Sequence, residues 1–266
     1  MGSASATTSP DQLSQRFETL RAKGRRALVP YVTAGHPDIE RSLDLVQGLA
    51  DVGADAIEVG VPFSDPMADG PVIQGSSQRA LGHGMNLERT LELIARAKSP
   101  IPVVLFSYLN PLLAAGRDVL VRARDAGVAG VLVTDLPVGA DPDLESWFGE
   151  GPLAFVRLVA PTTPASRMRE IAKHGRGFVY LISRLGVTGV QQSLPPELGD
   201  TMRRLRAVTT LPVCVGFGIS QPDQARTVAE MADGVVVGSA IVRAAEESVE
   251  SALSLARAMR SAIDAG

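Results

Sequence analysis

The stretch 56–75, AIEVGVPFSDPMADGPVIQG, decides the fold and carries most of the functional information. In its first six residues, branched apolar side chains alternate with small or acidic ones, so that Glu58 lies between two small residues on one face. This alternation is typical of a strand with two different faces. A loop with two prolines and two further acids follows, and it ends in Gly-Pro, a turn signal. The stretch predicts a buried strand that leads into a long loop.

The acid in this strand, Glu58, is the first candidate for a catalytic group. Burial penalises the charged form of a carboxyl group that has no basic neighbour, and perturbed acids in clefts are good candidates for functional sites. The alternative is that Glu58 pairs with a cation or caps a neighbouring loop. Asp69 alone would be interpreted as a turn-forming aspartate. The two acids together favour a catalytic site.

Strand-like and helix-like segments alternate eight times along the 266 residues, without a linker or a shift in composition. This repeat predicts an α/β protein, a single (β/α)8 TIM barrel over residues 11–266 with an additional N-terminal helix over 11–23. An open doubly wound sheet is the less favoured alternative. We expect residues 1–10 to be a disordered extension. Catalytic groups of such barrels lie where strands end and in the loops that follow, as Glu58 and the loop 62–75 do.

Charge and composition exclude several classes of function. The net charge of −3 and a pI near 5.7 argue against nucleic acid or an anionic membrane as a partner. Apolar runs are too short to span a bilayer, and the N-terminus lacks the pattern of a secretion signal. The single cysteine, Cys214, lies between two valines and is expected to be a buried structural thiol. These features predict a cytoplasmic enzyme.

A phosphate site is predicted after the seventh and eighth strands. The seventh strand runs into Gly-Phe-Gly at 216–218, and the eighth into Gly-Ser at 238–239 before a short helix at 240–245. Barrels commonly bind phosphate here, because glycines let backbone N–H groups approach and the helix end is electropositive. Ordinary strand-end turns are the alternative. The glycine-spaced loop 184–193 could add N–H donors and act as a lid.

The residue inventory argues against two common routes to carbon–carbon cleavage. The chain has only three lysines, all at helix ends, which disfavours Schiff-base chemistry: Lys23, Lys98 and Lys173. The three histidines show no paired ligand spacing, so no metal site is predicted, and they are interpreted as solvated loop side chains. Carboxylate acid–base chemistry remains.

Two motifs carry a resemblance to a known family. PFSDPMADGPVIQ at 62–74 and YLISRLGVTG at 180–189 resemble signatures of the tryptophan synthase alpha subunit, and the similarity covers nearly the whole chain beyond the extension. The resemblance implies retro-aldol cleavage of indole-3-glycerol phosphate to indole and glyceraldehyde 3-phosphate. It also implies transfer of indole to a pyridoxal-phosphate-dependent beta subunit in an α2β2 complex, with no cofactor in this chain.

The resemblance also implies roles for individual residues. Glu58 would move the protons, Asp69 would stabilise positive charge at the ring N–H, and Tyr180 matches the family's active-site tyrosine. The matching substrate and phosphate positions are Tyr31, Gly189, Phe217, Gly218, Gly238 and Ser239. The matching lid positions are Arg184 and Thr188, and those that face the partner are Phe63 and Asp65. Position 31 departs slightly, since the family also uses phenylalanine there.

Three other interpretations stay open. The glycine pattern alone would also permit an isomerase or decarboxylase that acts on a phosphosugar, although the motif at 62–74 disfavours it. A non-catalytic protein that only activates a beta subunit is a second possibility, and the two intact acids argue against it. A free-standing lyase that releases indole is a third.

Overall fold

A computed structural model describes residues 11–183, 197–216 and 218–266. Eight parallel strands form one closed barrel in chain order, which confirms the predicted (β/α)8 fold. The strands are β1 (Ala27–Thr33), β2 (Ile57–Gly60), β3 (Val103–Ser107), β4 (Val128–Val133), β5 (Ala154–Val159), β6 (Val179–Ile182), β7 (Val213–Gly216) and β8 (Gly234–Val237). Side chains of alternate residues fill the barrel interior, and the others pack under the surrounding helices.

Twelve helices are found in the described residues, and most of them cover the outside of the barrel. They are α1 (Gln12–Ala22), α2 (Ile39–Gly48), α3 (Pro71–Gly82), α4 (Leu87–Ala97), α5 (Leu109–Ala115), α6 (Val119–Asp125), α7 (Pro142–Gly149), α8 (Ala165–Lys173), α9 (Leu198–Arg206), α10 (Pro222–Ala229), α11 (Ser239–Glu247) and α12 (Val249–Asp264). None of them is long and apolar enough to cross a membrane.

One local prediction was wrong at the end of the deciding stretch. The Gly-Pro pair was interpreted as a turn inside a loop that reached residue 75, whereas helix α3 begins at Pro71 with Gly70 as its N-cap. Proline is well suited to the first helical position, because its missing N–H has no intrahelical partner there in any case. The short helices α5 and α7 were also not predicted. The loop that carries Asp69 is therefore shorter than expected and leads directly into a helix.

The predicted additional helix, α1, closes the N-terminal end of the barrel. Its apolar face points into the interior core, where the rings of Phe17 and Phe178 lie 5.3 Å apart. Leu13 packs against Gly177, where a Cβ atom would lie 2.6 Å from a leucine methyl carbon. Gly177 also has a φ of +80°, which favours glycine. The predicted extension 1–10 lies outside the described residues.

A cluster of ion pairs stabilises the N-terminal end of the barrel. Asp55, just before β2, is 1% exposed and accepts hydrogen bonds from the backbone N–H of Leu28 and from two arginines. Its carboxylate oxygens lie 2.6 Å from Nη2 of Arg16 and 3.1 Å from Nη1 of Arg260. Arg260 also pairs with Asp264. Helices α1 and α12 are thereby joined to the sheet.

Candidate active site

Glu58 lies on β2 at the centre of the barrel. It pairs in register with Tyr31 of β1 and Val104 of β3, and its side chain points inward as the alternation predicted. The side chain is 1% exposed, and its Oε1 atom has no hydrogen-bond partner among the described residues. Burial raises the pKa of Glu58 from 4.5 to about 8. This carboxyl group can therefore both donate and accept a proton near neutral pH.

Asp69 lies between β2 and α3, and it is held by a tyrosine. The hydroxyl of Tyr108 donates to Oδ2 of Asp69 at 3.0 Å and accepts a bond from the N–H of Ala68 at 2.9 Å. Burial raises the pKa of Asp69 to about 6, and the bond from Tyr108 opposes that rise. Asp69 is accordingly mostly ionised at neutral pH, in contrast to Glu58.

Two further tyrosines in the barrel interior line the same cavity as the acids. Tyr31 meets Phe106 edge to face, with ring centroids 5.3 Å apart. Tyr180 pairs in register with Cys214 of β7. Burial raises the pKa of both hydroxyls, and the charge of Glu58 contributes to the rise for Tyr180. Both tyrosines therefore stay protonated and can act as hydrogen-bond donors.

The predicted phosphate end lies beside these residues. Gly238 is the N-cap of α11, Ser239 is its first residue, and Gly218 has a φ of +86° that favours glycine. The first N–H groups of a helix have no intrahelical partner and carry positive partial charge. An anion at this end of α11 would meet those N–H groups, and the geometry suits a phosphate.

One cavity of about 310 Å³ joins the acids to the phosphate end. It is lined by both predicted acids and most of the predicted binding residues: Glu58, Asp69, Tyr31, Tyr180, Gly218, Gly238 and Ser239. The remaining predicted positions, Arg184, Thr188, Gly189 and Phe217, lie outside the described residues. The cavity can thus hold an aromatic group near the acids and an anionic group near α11.

The predicted partner-facing residues lie in the loop that leads from β2 to Asp69. The ring of Phe63 stacks on Tyr108 at 5.0 Å, and Asp65 is exposed. Met67 in the same loop is 81% exposed, an unusual fraction for a large apolar side chain. Because Tyr108 also bonds to Asp69, the exposed loop is connected to the acid through one side chain.

Sequence reasoning missed Tyr108 and misjudged His36. Tyr108 follows β3 as the N-cap of α5, and its hydroxyl contacts Asp69. His36 was interpreted as a solvated loop residue and is instead 1% exposed, with Nε2 3.7 Å from a carboxylate oxygen of Glu246. No group of side chains able to hold a metal ion is found among the described residues. Cys214 is buried as predicted, and burial raises its pKa.

Comparison with known proteins identifies the family. The family model described as tryptophan synthase alpha chain matches residues 17–264. The chain belongs to the tryptophan synthase alpha chain family. It is 48% identical to the tryptophan synthase alpha chain of Desulfatibacillum aliphaticivorans over 90% of this chain and 91% of that one. It is 44% identical to the same protein of Synechococcus elongatus over 95% and 97% of the two chains.

Solved structures agree with the family assignment. A structure of Mycobacterium tuberculosis tryptophan synthase superposes with a TM-score of 0.89 at 33% identity, covering 97% of this chain and all of that one. Subunit alpha of Legionella pneumophila tryptophan synthase gives 0.88 at 35% identity, with the same coverage. Members of the tryptophan synthase alpha chain family are lyases that cleave indole-3-glycerol phosphate in tryptophan biosynthesis. The phosphosugar isomerase or decarboxylase is thereby discarded.

Proposed function

We propose that this chain cleaves indole-3-glycerol phosphate to indole and glyceraldehyde 3-phosphate by carboxylate acid–base chemistry, without a metal or a Schiff base. The observation that carries the proposal is the pair of buried acids in one cavity, with pKa values held apart at about 8 and about 6. Two acids whose environments separate their pKa values are suited to different tasks in one reaction.

Glu58 is proposed to move the protons. In its acid form it protonates the indole carbon that carries the glycerol phosphate, and the ring becomes a cation. Removal of the proton from the adjacent hydroxyl then lets the carbon–carbon bond break. The bonding electrons return to the ring, the oxygen becomes the aldehyde oxygen, and indole is released. General acid–base help of this kind contributes typically 10²–10⁴-fold.

Asp69 is proposed to stabilise the cationic ring. A carboxylate that faces the ring N–H is attracted to the positive charge that develops on the ring and accepts its hydrogen bond. Tyr108 supports this role, because its hydroxyl fixes Asp69 and favours the ionised form. Tyr180 is proposed to orient Glu58 and the glycerol hydroxyls, and Tyr31 to pack against the ring.

The phosphate group is proposed to bind at the start of α11. The N–H groups near Gly218, Gly238 and Ser239 would donate to its oxygens, as this end of the cavity allows. Gly189 as a further donor, Phe217 as a wall, and Arg184 and Thr188 as lid residues stay predictions from the resemblance.

A tryptophan synthase beta subunit is proposed as the partner, in an α2β2 complex to which indole passes. Pyridoxal phosphate would be bound by that subunit. The loop with Phe63, Asp65 and Met67, which leads to Asp69, suits a docking surface because it exposes the apolar Met67 close to the charged Asp65. We further propose that the complex works in the cytoplasm, where tryptophan biosynthesis would supply its substrate.

Replacement of the acid tests the assignment. Glu58→Gln keeps the shape of the side chain but cannot transfer a proton, so indole release should fall by at least roughly 10²–10⁴-fold. The measurement is indole formation in single turnovers, alone and with the beta subunit, and tight binding of glycerol phosphate should persist. The matched control is Glu246→Gln, an exposed glutamate on α11. Turnover of Glu58→Gln within a few-fold of the wild type would remove Glu58 from the mechanism.

A further inference from the structure

A second cavity, of about 140 Å³, lies outside the barrel beside strands β4 and β5. The segment that follows β4, strand β5 and helix α8 enclose it. Two arginines line it, Arg157 from β5 and Arg167 from α8. Neither residue lines the catalytic cavity.

Arg157 is buried and held in place. It is 3% exposed, and its guanidinium carbon lies 4.5 Å from the centroid of the Phe155 ring. Its Nη2 lies 3.6 Å from Oε1 of Glu145, whereas its Nη1 is buried without a hydrogen-bond partner among the described residues. A buried N–H of a cation is costly when it is left unpaired. The unpaired nitrogen therefore indicates a missing acceptor.

The charges around the cavity do not balance. Glu145 can neutralise only one of the two guanidinium groups, and its Oε1 also accepts the N–H of Gly139 at 2.5 Å. Arg167 donates to the carbonyl oxygen of Val138, which holds its charge near the cavity. Burial lowers the pKa of Arg157, Glu145 raises it, and Arg167 lowers it further. Among the described residues, the side chains that line the cavity include two arginines and no acid.

We propose that this cavity binds a small oxyanion, an inorganic phosphate or a carboxylate. Nη1 of Arg157 donates to one oxygen, and Arg167 supplies the second charge from the solvent side. A water molecule takes about 30 Å³ in the liquid, so the space is large enough for such an ion together with a few water molecules. Arginine is suited to the role because its planar donors match oxyanions.

The single tryptophan of the chain provides a local probe. Trp147 lies on α7, with its ring 4.5 Å from Phe148, which in turn lies 5.2 Å from Phe155 under Arg157. A series of ring contacts therefore connects the side chain of Trp147 to the proposed site. An anion at the phosphate end of the catalytic cavity would bind after β7 and β8. The proposed site lies beside β4 and β5, so the two sites are on different parts of the barrel.

The test is a titration of the full chain with inorganic phosphate and, separately, with acetate, followed by Trp147 fluorescence. Sodium chloride at matched ionic strength is the salt control. The wild type should give a saturable change with at least one of the two oxyanions. Arg167→Met should weaken that binding about tenfold, the ratio that corresponds to the loss of one charge-assisted hydrogen bond. Arg169→Met, which removes the same charge from α8 outside the cavity, should bind as the wild type does.

Crystals soaked in selenate, an anomalous scatterer shaped like phosphate, locate the ion directly. We expect a peak within hydrogen-bond distance of Nη1 of Arg157, whatever happens at the phosphate end. Equal binding by Arg167→Met and Arg169→Met, or only water beside Arg157 in the soaked crystals, would overturn the proposal. Neither result depends on Glu58, so failure here is distinguishable from failure of the proposed lyase mechanism.

Discussion

Two carboxyl groups three residues apart, one at the N-terminal end of the barrel and one in its interior, lie in contrasting environments. Asp55 and Glu58 are each 1% exposed. Asp55, at the N-terminal end, accepts hydrogen bonds from a backbone N–H and two arginines. Glu58, toward the C-terminal end, has an oxygen without a partner among the described residues, and its pKa is raised to about 8. The same chemical group is fully paired in one place and lacks a partner for one oxygen in the other, where we propose that it carries protons.

The difference shows that the two carboxyl groups contribute differently to the stability of the fold. A buried carboxylate that is fully paired costs little net, whereas an unpaired one is forced toward its neutral form. The N-terminal end is closed by α1 and needs no open space. The C-terminal end keeps a cavity, and the acid that lines it with one unsatisfied oxygen is suited to proton transfer.

Asp55→Asn should be the most damaging of these changes to stability. It leaves Arg16 and Arg260 without their shared carboxylate, and breaking a buried pair costs about 3–5 kcal/mol. The lower part of this range is expected, because Arg260 keeps its pair with Asp264. Urea unfolding at pH 7 measures the loss. Glu58→Gln is the control, and it should unfold no more easily than the wild type. If both variants lose equal stability, the two ends do not differ as described.

Glu58 should also make the folded chain less stable as pH rises. Its folded pKa of about 8 exceeds the unfolded value of 4.5, so above pH 4.5 the folded state keeps a proton that the unfolded state has lost. Stability therefore falls with pH up to about 8 and then levels off. Between pH 5.5 and pH 8 the contribution is roughly 3 kcal/mol.

Urea unfolding of the wild type and Glu58→Gln at these two pH values isolates that contribution. Asp69 also has a raised pKa and titrates in the same direction, but it is common to both proteins and cancels in the difference. The wild type should lose more stability than the variant on going to pH 8. Parallel curves would mean that Glu58 titrates normally and is paired in solution.

Close packing at the C-terminal end should make Gly60→Ala destabilising. A Cβ atom at residue 60 would lie 2.0 Å from the hydroxyl oxygen of Tyr31, so the tyrosine ring must move. Such overpacking typically costs about 1–3 kcal/mol, and the displaced ring should also weaken binding of an indole analogue. The control is Gly75→Ala in helix α3, where a Cβ atom meets nothing within 4 Å. There alanine should stabilise by about 0.5–1 kcal/mol. Equal stability of the two variants would argue against the tight contact.

The sequence predicted the parts of this contrast that depend on local pattern. Alternation along 56–61 placed Glu58 inside, and eight strand–helix repeats gave the barrel, so the acid's position on the C-terminal side followed. The Gly-Pro pair at 70–71 was misjudged, because the same two residues suit a turn and a helix start equally well. Local pattern does not separate those two structures.

Contacts between distant residues could not be predicted. The partners of Asp55 come from α1 and α12, 39 and 205 residues away in the chain, and no spacing rule connects them. The burial of His36 and the bond between Tyr108 and Asp69 likewise depend on how neighbouring loops fold over one another. The cavity beside Arg157, and the lack of a partner for Nη1 of Arg157 among the described residues, likewise depend on how separate elements pack together.

The smallest expected effect concerns the second acid of the site. Tyr108→Phe removes the hydroxyl that donates to Asp69 and that lowers its pKa, so the pKa should rise above about 6. A hydrogen bond to a charged group is worth about 1.5 kcal/mol or more, which corresponds to a shift of about one pH unit.

If ionised Asp69 stabilises the cationic ring, the acid limb of kcat/KM against pH should move upward by that amount. At pH 6 the activity should fall about fivefold relative to the wild type, because the ionised fraction of Asp69 falls from about a half to about a tenth, and most of the difference should disappear by pH 8. The control is Tyr180→Phe, which leaves Tyr108 and its bond intact and should change the height of the profile more than the position of that limb. Asp69→Asn should abolish the limb with the activity. A Tyr108→Phe profile whose acid limb coincides with that of the wild type would show that the limb does not report Asp69, and the stabilising charge would then have to come from another acid.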